Sequence, residues 1–65
     1  MDNQLPLLVR PEEAARLMGL SRTRIYEMLR EGRLPSVLFG RARRVRRADI
    51  EALIESAARD GTHVR

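Results

Sequence analysis

Residues 11–30 read PEEAARLMGLSRTRIYEMLR, and their pattern predicts two short helices that meet at a tight corner. A leading proline suits the first helical position, and the two glutamates that follow it favour the positive end of the helix dipole. Gly19 can adopt a positive φ where the first helix ends, and Ser21 is a favoured N-cap for the second. We therefore predict helices over residues 11–18 and 22 to about 31, arranged as a helix-turn-helix.

The second predicted helix has one apolar and one polar face. At about 100° per residue, Ile25, Met28 and Leu29 share a face, which we expect to be buried. The inward side chains expected for the first helix are Ala14, Ala15, Leu17 and Met18. The polar face of the second helix supplies the candidate DNA contacts, which are Arg22, Thr23, Tyr26, Glu27 and Arg30. A solvated face without a ligand is the plainer interpretation, but a basic segment follows and favours DNA.

That basic segment is residues 33–47, RLPSVLFGRARRVRR, which contains six arginines and no acid. A glycine between two short apolar runs is typical of a hairpin tip, so we predict strands over residues 36–39 and 43–46, joined by Gly40-Arg41-Ala42. The candidate inward side chains of this hairpin, which we call the wing, are Val37, Phe39 and Val45. Its candidate DNA contacts are Arg41, Arg43 and Arg44, while Arg46 and Arg47 are assigned to the start of the next helix.

A charged edge strand that prevents association between sheets is the alternative interpretation of the wing. It accounts for one or two charges, but not for five arginines within residues 41–47 without an acid. Alternation along the strand is expected to place Arg44 on one face and Arg43 on the other, where Arg43 stacks on Tyr26 or turns outward. We therefore expect the wing to contact phosphates or the minor groove, above all through Arg41 at its tip.

Residues 47–59 carry apolar side chains at positions i, i+3, i+4 and i+7, which predicts a third helix. Its expected inward side chains are Ile50, Leu53, Ile54 and Ala57. The run Leu7-Leu8-Val9 is expected either to add an edge strand or to pin the N-terminus to the core. One domain is expected over residues 7–59, between a flexible N-terminus (1–6) and a flexible tail (60–65). The single histidine of that tail, His63, has no second ligand nearby and is expected to be idle.

Length and composition argue against several functional classes. With 65 residues and no cysteine, the chain is expected to form a single domain with a small core, and neither disulfides nor a thiolate zinc site. We do not expect an enzyme, because DNA cleavage by Tyr26 would need several groups assembled around the phosphate. We also expect no bound metal and no cofactor. The N-terminal residues do not resemble a signal peptide, and no run approaches the roughly 20 apolar residues of a membrane span. A cytoplasmic, nucleoid-associated protein without a membrane partner is the expectation.

The charge of the chain is both positive and clustered. The formal net charge is +4, and all 13 basic residues are arginine. Arginine stays charged at any working pH and can fork two hydrogen bonds onto phosphate or guanine. Codon bias in a GC-rich genome would explain the missing lysine, but not the separation of these arginines from the nine acids. The clustering therefore indicates nucleic-acid binding.

Four segments of the sequence together resemble a known family: residues 12–21, Ile25-Tyr26, residues 30–35 and Gly40-Arg41. They contain a Glu-Glu-Ala-Ala run, a Gly-x-Ser corner, an aromatic residue in the second helix, a Gly-x-Leu-Pro exit and a Gly-Arg turn. This combination is similar to the excisionase family of small winged helix-turn-helix proteins, which is itself similar to the DNA-binding domain of MerR regulators. The resemblance covers roughly residues 7–55. It implies a mainly α fold with a small β-hairpin, that is, three helices and a two-stranded wing.

The sequence departs from this family at four positions. Arg10 stands where a serine or threonine commonly caps the first helix, and Arg46 replaces the proline or serine that often precedes the third. Glu27 lies where relatives are often basic, and Arg43 lies where they often carry an aromatic residue. The cap of the first helix and the exact start of the third are therefore the least well predicted features of the fold.

The resemblance implies that the second helix lies in the major groove and that the hairpin reaches phosphates or the adjacent minor groove. Arg30 is then expected to fork onto guanine O6 and N7. Arg22 and Tyr26 are expected to fix the register of the protein through phosphates, and Thr23 to touch a thymine methyl or a phosphate.

Glu27 is the acidic member of this face. It either accepts a hydrogen bond from a cytosine amino group, which would confer specificity, or pairs with Arg30 or Arg24 and positions them. We favour the pairing.

Excisionases, or recombination directionality factors, bind repeated sites near an attachment site, bend the DNA and help an integrase to excise a mobile element. The resemblance therefore implies a sequence-specific protein whose partners are double-stranded DNA, further copies of itself and an integrase. A small transcriptional regulator that uses the same surface is the alternative. MerR-type regulators carry a long dimerisation helix, which the sequence does not predict after residue 59. A protein-interaction module that docks through its third helix is a further alternative.

Overall fold

The computed structural model describes residues 6–60, and residues 1–5 and 61–65 lie outside the described range. In chain order the elements are β1 (Leu8–Val9), α1 (Pro11–Met18), α2 (Arg22–Arg30), β2 (Val37–Phe39), β3 (Ala42–Arg46) and α3 (Arg47–Asp60). The predicted mainly α, winged helix-turn-helix fold is confirmed, and every predicted helix end lies within one residue of the observed one. His63 and nearly all of the two predicted flexible ends lie outside the described residues.

The sheet has three antiparallel strands in the order β1-β3-β2. Its β2–β3 hairpin is the predicted two-stranded wing. Of the two roles expected for Leu7-Leu8-Val9, the edge strand is the one observed, because β1 pairs with the other side of β3. Arg47 N–H also donates to the carbonyl oxygen of Leu7 at 2.8 Å, which ties the start of α3 to the N-terminal strand. Within residues 6–60, no helix combines the length and apolar character needed to cross a lipid bilayer.

The corner between α1 and α2 has the geometry that its sequence predicts. Gly19 has φ of 70°, and the next backbone N–H, that of Leu20, donates to the carbonyl oxygen of Ala15 at 2.8 Å. Such a left-handed residue with back-bonded amides is a common way to end a helix. Ser21 then caps α2, since its Oγ accepts from the N–H of Arg24 at 3.0 Å. Arg10, at the start of α1, makes no side-chain cap, as expected.

We predict that Ser21→Ala lowers the free energy of unfolding by about 1 kcal/mol, because it leaves an amide in the first turn of α2 without its acceptor. Urea denaturation followed by circular dichroism measures this loss. Ser56→Ala is the matched control, since Ser56 is exposed in the interior of α3, where alanine is the better helix former. Equal losses in the two variants would contradict a capping role for Ser21.

The core lies where α1, α2 and the first turn of α3 meet the inner part of the sheet. Its buried side chains are Val9, Ala14, Ala15, Ile25, Met28, Leu34, Val45 and Ile50, with Met18, Leu29 and Leu53 packed against them. Leu34, which is 1% exposed, was not among the side chains expected inward. It follows the end of α2, where the carbonyl oxygen of Met28 accepts from the Leu34 N–H at 3.3 Å.

Two helical side chains expected to be buried are not. Leu17 is 37% exposed because it lies at the edge of the apolar stripe of α1, whereas Met18 falls between the two buried alanines. Ile54 is 49% exposed although it shares a face with Ile50. At 1.5 Å per residue, a 14-residue helix is longer than the small core it packs on, so the second half of α3 has little core to cover.

Phe39 was also expected to face inward and is instead 61% exposed. The pairs in the wing are Val37 with Arg44, Leu38 with Arg43 and Phe39 with Ala42, so only Gly40 and Arg41 form the turn. A three-residue turn that included Ala42 would have placed Phe39 on the same face as Val45. In the observed two-residue turn Phe39 lies on the face opposite Val45, because a shift of one residue in the pairing moves every side chain to the other face. Val45 alone of the three predicted inward residues is fully buried.

Candidate nucleic-acid interface

The exposed face of α2 brings together four of its five predicted contact residues. They line one open surface concavity and are Arg22, Thr23, Tyr26 and Arg30. Positions i, i+1, i+4 and i+8 of a helix share a face, while Ile25 and Met28 are buried on the opposite side. The concavity therefore follows directly from the amphipathic pattern of α2, and its side chains offer mainly hydrogen-bond donors.

Glu27, the fifth predicted residue, does not line this concavity. Its Oε1 accepts from Nη1 of Arg24 at 3.1 Å, and the Arg24 side chain is only 24% exposed. Of the two roles considered for Glu27, the structure thus contains the pairing, with Arg24 as the partner. This partly buried ion pair engages the carboxylate of Glu27 within α2, beside the exposed face.

Glu12, on the first turn of α1, reaches across to α2. Its Oε2 accepts the hydroxyl proton of Tyr26 at 2.7 Å and lies 3.6 Å from Nη2 of Arg22. The hydrogen bond from Tyr26 lowers the pKa of Glu12 below its ordinary value, and Arg22 acts in the same direction. The same bond raises the pKa of Tyr26 above its ordinary value. The carboxylate therefore stays ionised and the phenol protonated near neutral pH.

Sequence reasoning missed this role of Glu12. The residue had been explained by the helix dipole alone, and 14 positions separate it from Tyr26. A contact between two helices at that separation depends on their crossing geometry, which has no local sequence signal.

The tip of the wing is a two-residue turn with an exposed guanidinium. Gly40 has φ of 64°, the left-handed value that a type II′ hairpin turn needs at its first central position. Arg41, the second central residue, is exposed and forms no ion pair or hydrogen bond with any residue in the range 6–60. Its charge is therefore available to a ligand.

The two other predicted wing contacts are partly engaged. Arg43 is exposed and its Nη1 donates to Ser36 Oγ at 2.6 Å, so of the two expected orientations it adopts the outward one. Arg44 lies on the opposite face of the strand, as alternation predicts, and its Nη1 donates to the Arg43 carbonyl oxygen at 2.9 Å. Neither guanidinium is paired with an acid in the described part of the chain, so both keep an uncompensated charge.

Arg46 and Arg47 belong to the junction with α3, as the sequence indicated. Arg46 binds both carboxylate oxygens of Asp49, at 2.6 Å and 2.9 Å. The same contact raises the pKa of Arg46. The positive charge of Arg46 is therefore paired with an acid of its own chain. Arg47 lies 3.7 Å from Glu51 and is less than one-third exposed. These two arginines stabilise the start of the helix rather than add to the exposed basic surface.

Over residues 6–60, three arginines are both exposed and without an ion pair or hydrogen bond: Arg10, Arg30 and Arg41. Arg30 and Arg41 were predicted contacts, one on each element of the candidate interface. Arg10 was not a predicted contact; it lies just before α1, where its charge helps to lower the pKa of Glu12. No three histidine, aspartate, glutamate or cysteine side chains in this part of the chain gather closely enough to hold a metal ion.

Comparison with known proteins agrees with this geometry. Residues 8–58 match the family model described as a helix-turn-helix domain. A protein named "Probable excisionase" from Saccharopolyspora erythraea is 42% identical over 45 residues, which cover 69% of this chain and 46% of the relative. The chain thus spans about half the length of this curated relative, and no solved structure matches it. Since the match to the family model extends from β1 almost to the end of α3, the chain belongs to the family of helix-turn-helix domains.

Proposed function

We propose that this protein binds double-stranded DNA sequence-specifically, without catalysis, and acts as an excisionase, or recombination directionality factor. The helix-turn-helix family supports the DNA partner, and the similarity to a probable excisionase supports the role. A protein that binds chromosomal DNA in this way works at the nucleoid.

One observation carries the proposal. Within residues 6–60, Arg30 on α2 and Arg41 at the wing tip remain exposed and unpaired, whereas Arg46 is neutralised by its own acid. An unpaired guanidinium on the surface adds little to the stability of the free protein. When it binds a DNA phosphate, it displaces condensed counterions, and their release favours binding. The fold therefore keeps these free cations on the two elements that a winged helix-turn-helix presents to DNA.

The two elements have different tasks in this proposal. The helix α2 enters the major groove, where Arg30 forks onto guanine, and Arg22 and Thr23 contact the backbone or a thymine methyl. The wing places Arg41, with Arg43 and Arg44 behind it, on phosphates or in the adjacent minor groove. The helix selects the sequence and the wing supplies affinity.

Cooperation between copies completes the proposal. A helix of nine residues reads too few base pairs to define a unique site, so several copies bind side by side on one bent tract. Such an arrangement at an attachment site prepares the DNA for an integrase, which is the second proposed partner.

We predict that Arg41→Ala and Arg30→Ala weaken DNA binding in different ways. Arg41→Ala is expected to lower affinity for all sequences and to reduce the slope of log K against log salt by about one. Arg30→Ala is expected to relax sequence preference at a cost of about 1–3 kcal/mol for the cognate site. Titration of cognate and random duplexes by fluorescence anisotropy at several salt concentrations measures both effects. If each variant lost the same affinity on the two duplexes, this division of tasks would be refuted.

The excisionase role is tested on attachment-site DNA. Nuclease footprinting is expected to show a protected tract that lengthens as protein is added, and deletion of the gene is expected to reduce excision of the element that carries it. Protection confined to a promoter, with excision unchanged by the deletion, would instead establish a transcriptional regulator. Pull-down of an integrase that persists after nuclease treatment would show that the partner contact does not need DNA.

A further inference from the structure

The contact between Glu12 and Tyr26 has a chemical consequence for base recognition. We propose that Glu12 is a specificity-determining residue: by taking the only hydroxyl proton of Tyr26, it makes Tyr26 a hydrogen-bond acceptor that selects an adenine or cytosine amino group. The inference rests on the proposed function, because it requires α2 to lie against base edges in the major groove.

The polarity of Tyr26 follows from a count of protons. A phenol has one donor, and the structure commits that donor to Glu12 Oε2 at 2.7 Å. The carboxylate cannot return a proton, since an ionised carboxylate only accepts, and the pKa of Glu12 is already lowered by this contact. Arg22 also acts on the Tyr26 oxygen as a donor. What remains available on that oxygen is the lone-pair density that Arg22 does not use, and it can only accept.

A DNA phosphate is a poor substitute for Glu12 at this position. If the Tyr26 hydroxyl turned to a phosphate, it would exchange one anionic acceptor for another and gain no new kind of bond. Glu12 would then lose its main donor while facing a second negative charge, with Arg22, 3.6 Å away, as its nearby compensation. Retention of the Glu12 contact is therefore favoured over the phosphate role that the sequence suggested for Tyr26.

The concavity on α2 is otherwise poor in acceptors. Arg22 and Arg30 carry only donors, and the acid Glu27 is engaged by Arg24. The hydroxyl of Thr23 can donate as well as accept, so it does not impose the polarity that Tyr26 does. Tyr26 lines the same concavity as the two arginines, so its oxygen supplies an acceptor on that surface.

The donors and acceptors on the major-groove edges of the bases determine which bases an acceptor at Tyr26 would prefer. Adenine N6 and cytosine N4 are donors, whereas guanine O6 and thymine O4 are acceptors. An acceptor at Tyr26 therefore favours adenine or cytosine over guanine or thymine at one position of one DNA strand. Since a single hydrogen bond contributes modestly, we expect that preference to be about threefold to tenfold.

The experiment selects sites from a randomised duplex pool with the unaltered chain and with Tyr26→Phe, Glu12→Ala and the double variant. We expect the unaltered chain to show one position at which adenine or cytosine is enriched and at which Tyr26→Phe loses the enrichment. Glu12→Ala is expected to abolish that enrichment or to reverse it towards guanine or thymine, because the freed hydroxyl can then donate. When Tyr26→Phe is already present, removal of the Glu12 carboxylate is expected to change nothing further at this position.

Glu13→Ala is the matched control. It removes the same charge from the same turn of α1, but Glu13 pairs with Arg16 on its own helix rather than with α2. We expect this control to keep the preference of the unaltered chain, and circular dichroism of every variant checks that each is folded.

Three results would overturn the inference. The first is an unchanged base preference in Glu12→Ala. The second is a gain in affinity for all sequences in Glu12→Ala without a change in preference, which would mean that Glu12 acts only by restraining Tyr26 or Arg22 from phosphate. The third is a guanine or thymine preference in the unaltered chain at the position sensitive to Tyr26→Phe. Failure of the unaltered chain to bind any duplex is a different outcome, since it would overturn the proposed function and this inference with it.

Discussion

Ile25→Ala is expected to lower the free energy of unfolding by about 2–5 kcal/mol, the usual cost of removing a large aliphatic side chain from a packed core. Ile25 is 0% exposed and lies on the inner face of α2. A domain of 65 residues has a total stability of only about 3–10 kcal/mol, so this single change removes much of it. Thermal denaturation followed by circular dichroism is expected to show a large fall in Tm, or an unfolded chain at about 37 °C.

Ile54→Ala is the control for that measurement. It deletes the same atoms from a side chain that is 49% exposed on α3, so less apolar area returns to water and no enclosed cavity forms. We expect its cost to stay below about 1.5 kcal/mol. A loss as large as that of Ile25→Ala would mean that a further surface covers Ile54, either in this chain or in a second copy.

The second large effect is expected on DNA binding. Replacement of Arg41, Arg43 and Arg44 together by alanine is expected to lower affinity by about 10²–10³-fold near 0.1 M salt and to reduce the salt slope by about three, because each phosphate contact contributes nearly one unit. Two of these guanidinium groups bond only to neutral oxygens and the third has no partner among residues 6–60, so all three charges are free to meet phosphate. Anisotropy titrations with random duplex DNA over a range of salt concentrations measure both quantities.

A charge-matched triple variant separates position from net charge. Arg16, Arg33 and Arg59 each pair with an acid and lie outside the wing strands, so their joint replacement by alanine removes the same formal charge. Exposed pairs of this kind contribute little to stability, and the variant is expected to fold. We expect its affinity to fall far less than that of the wing variant. Equal losses would show that binding depends on net charge alone and would remove the wing from the interface.

The helix-turn-helix could be predicted because its signals are local. The capping serine, the glycine at the corner and the apolar period of α2 each act within a few residues, and all three are where the sequence indicated. The wing was predicted in outline but not in register. Whether Ala42 belongs to the turn or to the strand decides which way Phe39 faces, and turn length depends on pairing across the hairpin rather than on either strand alone.

The candidate site shows the same limit. The exposed face of α2 follows from helical periodicity, so Arg22, Thr23, Tyr26 and Arg30 could be grouped in advance. Their partners could not be assigned, because the acceptor of the Tyr26 hydroxyl lies on a different helix and Glu27 had two arginines within reach. Pairing of long side chains depends on distances between elements, which periodicity does not contain. The DNA roles of these residues stay predictions.

The two halves of the central strand β3 pair with different strands and are subject to different structural constraints. Val45 and Arg46 pair with β1 beside the core, while residues 42–44 pair only with β2 in the projecting wing. Substitutions in the outer half replace no fully buried side chain, so natural selection can alter the proposed DNA contacts there at little cost to the core. Related genes are therefore expected to diverge fastest in the outer half of this strand and slowest at Val45, three residues away from Ala42.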